Sequence, residues 1–193
     1  MNKILALSFL FVFGCSHGND DVASIWSSFV ESPSLESEQL LMAAIGEDLE
    51  ICGWGKPENL NAVPDRFRQD LFELIAGGDS TSFRVGMRIE KCLDGGDLGD
   101  FRRSAGMFFD ARPDTFLDES IREGVTAERI AELVSALPLA LADDPKRQRD
   151  LVMERISKLE LSRISPESQV TTSALNTLRE RVQLLSDALE EED

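Results

Sequence analysis

Histidine is almost missing from this sequence: His17 is the only one in 193 residues. Imidazole is the side chain that most readily moves protons near neutral pH, so a single copy argues against Ser-His or Cys-His nucleophilic chemistry. It also excludes a zinc site built on several histidines. Tyrosine is absent and tryptophan occurs twice, at Trp26 and Trp54, so aromatic platforms for gripping a sugar are sparse. Bases are outnumbered, 20 Lys and Arg against 36 Asp and Glu, for a net charge of −16. Nucleic-acid phosphates demand clustered Lys and Arg, which excludes a nucleic-acid partner. Long apolar runs are missing too. The run Ile4 to Phe13 would rise only about 15 Å as a helix, against roughly 30 Å of hydrocarbon, so it does not span a membrane.

That short run belongs to a pattern. Lys3 supplies a positive charge, Ile4 to Phe13 is apolar except for Ser8, and Val12-Phe13-Gly14-Cys15 closes it. A charged start, a short apolar stretch and a small residue before a cut form a secretory signal. The ending resembles the lipobox of bacterial lipoproteins, with Val12 at −3, Gly14 at −1 and Cys15 at +1, and the resemblance covers residues 1–15. It implies cleavage after Gly14 and three acyl chains on Cys15, each buried methylene contributing about 0.8 kcal/mol of membrane affinity. It also implies an envelope location facing the periplasm; Ser16 after the cysteine favours the outer membrane over the inner. An ordinary secretory signal or an uncleaved anchor are the competing readings. The expected organisation is a signal peptide at 1–14, a flexible tether at 15–21 and one helical domain at 22–193.

Loss of residues 1–14 removes Lys3 and no acid, taking the net charge from −16 to −17. Such acidity serves solubility, or else presents a face to a basic partner. If Cys15 is acylated, Cys52 and Cys92 remain. In an oxidising compartment two cysteines usually pair, and closing about 40 residues would stabilise the fold by roughly 4 kcal/mol. Two buried thiols are the alternative.

The rest reads as helix after helix. Val22, Ile25, Trp26, Phe29 and Val30 form one stripe, with Asn19 or Asp20 as cap and Pro33 as stop. Leu41, Ile45 and Cys52 share the next stripe. Pro64 opens a helix carrying Phe67, Leu71, Leu74 and Ile75, ended by Gly77-Gly78. Asp79 or Ser80 caps another, expected to run through Cys92 and Leu93 to Gly95-Gly96, after which Asp97 begins a fifth with Phe101, Ala105, Phe108 and Phe109. Val125 and Ile130 staple a cap at Thr126. Asp144-Pro145 and Ser165-Pro166 each read as a cap followed by proline. Leu175, Leu178, Val182, Leu185 and Leu189 line the last helix. The fold class is therefore all-α, an irregular bundle or short α-solenoid of about eight to nine helices. The solenoid alternative rests on one echo. Residues 61–67 and 110–116 share Ala, Pro, Asp and Phe at a spacing of 49, near the period of helical repeats.

Chemistry-bearing clusters are few. Glu47, Asp48 and Glu50, or Asp118, Glu119 and Glu123, could offer the paired carboxyls of a glycan hydrolase, but a solvated helix face is the favoured reading of both clusters. Asp94, Asp97 and Asp100 have a spacing of three, unlike a calcium loop, and read as glycine C-cap and Asp N-cap. Lys146, Arg147, Arg149, Arg155, Lys158 and Arg163 interleave with acids, which predicts a salt-bridged, solvent-facing helix. Trp54, in a Gly-Lys-Pro loop beside Cys52, is the candidate partner-binding residue, with core packing as its alternative. No metal, cofactor or catalytic residue is expected. The reading is a non-catalytic tethered domain for an envelope protein partner. An inhibitor of a basic toxin or hydrolase is the alternative, and a carboxylate-based glycan hydrolase comes last.

Overall fold

The computed structural model describes residues 19–45, 65–165 and 168–191. They form nine α-helices and two short 3₁₀ turns, with no strand among the described residues. The helices are α1 (Asn19–Glu31), α2 (Leu35–Ile45), α3 (Asp65–Ala76), α4 (Ser80–Ile89), α5 (Gly95–Ala111), α6 (Pro113–Arg122), α7 (Ala127–Ser135), α8 (Pro145–Glu160) and α9 (Gln169–Glu191). The expected all-α class is what the chain adopts, as a helical bundle. Helix α5 lies at the centre, packed on α3, α6 and α7, while α9 closes one side against α7 and α8. The α1–α2 pair packs on α3 and α4.

The start signals work as capping chemistry dictates. The carboxylate of Asp79 accepts from the Ser82 amide at 2.6 Å, the Thr126 hydroxyl from Arg129 at 3.2 Å and the Asp144 carboxylate from Arg147 at 3.0 Å. Each satisfies an amide that the first helical turn leaves unpaired. Helices α3 and α6 end alike. Gly78 and Gly124 take φ of 89° and 69°, a region open to glycine, and the amides of Asp79 and Val125 reach back to Leu74 and Ser120 carbonyls at 3.0 Å.

Four boundaries differ from expectation. Helix α1 begins at Asn19, inside the stretch expected as tether. Helix α4 ends at Ile89; Glu90–Cys92 form a 3₁₀ turn and Leu93 turns extended and buries. The chain has reversed before the glycines, so Gly95 and Gly96 open α5 rather than close α4, and Asp97 lies in its first turn behind the cap residue Asp94. At α9, the Ser168 hydroxyl accepts from the Thr171 amide at 3.1 Å, and the Pro166 expected to follow a Ser165 cap lies outside the described residues.

The core is aromatic. Phe83, Phe108 and Phe116 are fully buried with ring centroids 5.2–5.8 Å apart, and Phe109 meets Phe116 edge-on at 5.7 Å. Trp26, also fully buried, stacks on Phe67 at 6.4 Å and so fixes α1 to α3. Of the echo between residues 61–67 and 110–116, residues 61–64 lie outside the described residues, and the helices that follow pack differently. Helix α3 packs along α4, whereas α6 hardly touches α7, which turns instead to α5 and α9.

Candidate functional site

Cys15, His17, Glu47, Asp48, Glu50, Cys52 and Trp54 lie outside the described residues. Cys92 ends the 3₁₀ turn after α4 and is half-buried. Most of the remaining acidic candidates are engaged in ion pairs. Asp118 lies 3.5 Å from Arg163, Asp97 pairs with Arg68, and Asp100 pairs with Arg103. Asp94, Asp97 and Asp100 thus occupy the start of a helix instead of encircling an ion. Among the described residues, no group of three or more His, Cys, Asp or Glu is arranged to hold a metal.

Two buried charge centres escape the expectation of solvated helix faces. The first joins α2, α4 and α6. Arg84 donates to Glu38 through Nη2 at 2.6 Å and Nε at 3.0 Å, and through Nη1 to Glu119 at 3.2 Å. The carboxylate side chains of Glu38 and Glu119 are only 3% and 8% exposed. Arg122 adds a bond to Glu119 at 3.0 Å, while Arg88 sits 3.5 Å from Glu38 and 3.3 Å from Glu123. Hydrogen bonding to Glu38 holds the Arg84 guanidinium above the ordinary arginine range; burial opposes this, and the charges of Glu38 and Glu119 support it. The acids Glu119 and Glu123, candidates for a hydrolytic pair, are therefore engaged by guanidinium groups.

The second centre corrects the reading of the α8 bases as solvent-facing. Arg155 is fully buried. Its Nε and Nη2 grip the Asp110 carboxylate at 2.7 and 2.6 Å, and its Nη1 donates to the carbonyls of Val134 and Ala136 at 2.7 and 2.8 Å. Those carbonyls lie at the end of α7, where a helix leaves acceptors unpaired, and Pro138 just beyond has no amide to offer. A cation there also suits the negative pole of α7. Lys158 treats the end of α5 similarly, donating to the Asp110 carbonyl at 2.8 Å. One node thus ties α5, α7 and α8.

Gly106 makes room for this node. A Cβ on it would lie 2.3 Å from the Ala136 carbonyl oxygen and 3.3 Å from Arg155 Nη2. Backbone cannot retreat as a flexible side chain can. Gly106→Ala is expected to cost about 1–3 kcal/mol, read as a lower urea midpoint at unchanged slope.

The open surfaces are shallow and charged. One groove of about 610 Å³ runs between α1, α3 and the Gly77-Gly78 turn, with Glu31, Asp70, Glu73 and Asp79 facing Arg112 across it. A second, of about 630 Å³ between α3 and α5, holds the Arg68–Asp97 and Arg103–Asp100 pairs. The sequence did carry a signal for the buried centres. Glu38 precedes Leu41 and Ile45 by three and seven residues, and Arg155 stands between Val152 and Leu159. A charge on an apolar stripe is a candidate for burial, but the stripe does not say whether a partner arrives to pair it.

The fold is thus an all-α bundle whose buried ions are interhelix ties. No family model, curated protein or solved structure matches the chain.

Proposed function

We propose that this protein is a membrane-tethered, non-catalytic helical domain that binds a protein partner in the bacterial cell envelope. The observation that carries the reading is Cys15, preceded by Val12-Phe13-Gly14 and a short apolar run behind one lysine. Acyl chains on that cysteine would hold the domain at the membrane, with the outer membrane favoured over the inner. The buried ion pairs support a binding role, since Glu38, Arg84, Glu119, Asp110 and Arg155 are all committed to joining helices. The acidic groove beside α3 favours a basic partner. It also supports the second reading, an inhibitor or immunity protein whose charge steers it to a basic toxin or hydrolase.

Two experiments test the chemistry. Cells fed labelled palmitate should label the protein, and Cys15→Ser should abolish both labelling and membrane sedimentation. Persistent sedimentation of the serine variant would sink the lipid anchor. For the other cysteines we propose a Cys52–Cys92 bridge. The unreduced mature protein should resist alkylation at both, and reduction should expose both; free alkylation of both without reductant would disprove it. Co-purification from detergent-solubilised envelopes tests partner binding, which a companion-free protein would refute.

A further inference from the structure

The apolar stripe of α9 runs on past the core that supports it. Ala174, Leu175 and Leu178 are buried, Val182, Leu185 and Leu189 are half-buried, and Leu184 is 69% exposed. Length is the cause. At about 1.5 Å per residue, α9 extends roughly 34 Å, whereas α7 and α8, on which it packs, cover roughly 13 and 24 Å. Beyond the end of α7 a recess of about 430 Å³ opens, floored by Leu184 and Leu185 with Ser135 and Thr177 at its side. Glu180 and Arg181, which also line it, balance each other in charge.

The charge farther along α9 has one sign. Asp187, Glu190 and Glu191 are followed in sequence by Glu192 and Asp193, and no base stands after Arg181. Asp187 accepts from the Gln183 amide at 2.7 Å, a neutral partner. Acids at this end face the negative pole of their own helix, an arrangement that a nearby cation relieves. A second copy of the chain would instead bring like charges together.

Resting on the partner-binding reading above, we propose that the far half of α9 docks a cationic amphipathic segment of the partner. Its apolar side covers Leu184 and Leu185, and its Lys or Arg residues meet Asp187 and Glu190. This is the helix-against-apolar-face mode of recognition, with acids setting the charge preference.

The test uses the full mature chain in detergent and a fluorescent 18-residue Leu-Lys peptide, patterned at helical spacing, beside a scrambled peptide of the same composition. Fluorescence anisotropy should show the patterned peptide binding at least tenfold tighter. Leu184→Ser and Glu190→Lys should each weaken it fivefold or more while helical circular dichroism stays unchanged. Equal binding of the two peptides would overturn the proposal, and so would affinities unmoved by both substitutions. Sedimentation showing self-association that Leu184→Ser abolishes would also overturn it, by making a second copy the occupant. A stable envelope partner that still co-purifies with Leu184→Ser and Glu190→Lys would refute this surface while leaving partner binding itself intact.

Discussion

Arg155→Ala is expected to cost about 3–5 kcal/mol of folding stability, enough to lower Tm by roughly 6–20 °C. The loss is that of four hydrogen bonds at once. Two go to the Asp110 carboxylate and two to the carbonyls of Val134 and Ala136. Removing the guanidinium leaves those acceptors facing a cavity, and unpaired buried acceptors cost more than the bonds were worth net. Lysine should recover only part of the loss, because an ammonium cannot grip a carboxylate bidentately while reaching two carbonyls. Thermal unfolding of the three proteins, followed by circular dichroism, checks the order: wild type, then Arg155→Lys, then Arg155→Ala. An alanine variant within 1 kcal/mol of wild type would show the node to be dispensable.

Arg84→Ala should be of similar size, about 3–5 kcal/mol, since it strands two nearly buried carboxylates between α2, α4 and α6. Arg88 and Arg122 would still reach Glu38 and Glu119, which places the effect towards the lower bound. Replacing a buried ion pair by apolar groups of similar volume is often neutral or stabilising. So Glu38→Leu combined with Arg84→Met should lie well above either single variant in urea midpoint, and the double-mutant cycle gives the coupling directly. The pH dependence follows from sign. A base whose folded pKa is raised contributes stability that is present below its unfolded value and lost only as pH climbs through the folded one. For Arg84 that loss lies above the ordinary arginine range. The Arg84 contribution should therefore stay constant from neutral pH to about pH 11, as urea titrations of wild type and Arg84→Met across that range would show.

Much of the local order was legible in the sequence. Asp79, Thr126 and Asp144 cap the helices they precede, and Phe67, Leu71, Ile75, Phe101 and Phe108 are buried at the spacings their periodicity predicts. Boundaries between adjoining helices were less legible. The Gly95-Gly96 pair looks the same whether it ends one helix or opens the next, and the burial of extended Leu93 decides. The charged residues were the hardest. Arg155 shares a helix with Lys146, Arg147 and Arg149, and nothing in their spacing to nearby acids separates a solvated base from a buried one. What separates them is Asp110, 45 residues away, with room for the guanidinium left by the glycine at position 106.

By itself the sequence determined the helical class, most caps and stops, the acidic balance and the lipobox-like mark at Cys15, because these depend on neighbours within a turn or two. Only the tertiary structure decided which charges leave water, that α6 and α7 do not repeat the α3–α4 pair, and where α9 outruns its support. Each of these depends on what a distant helix brings to the same place, and burial of an ion is favourable only when its partner arrives with it.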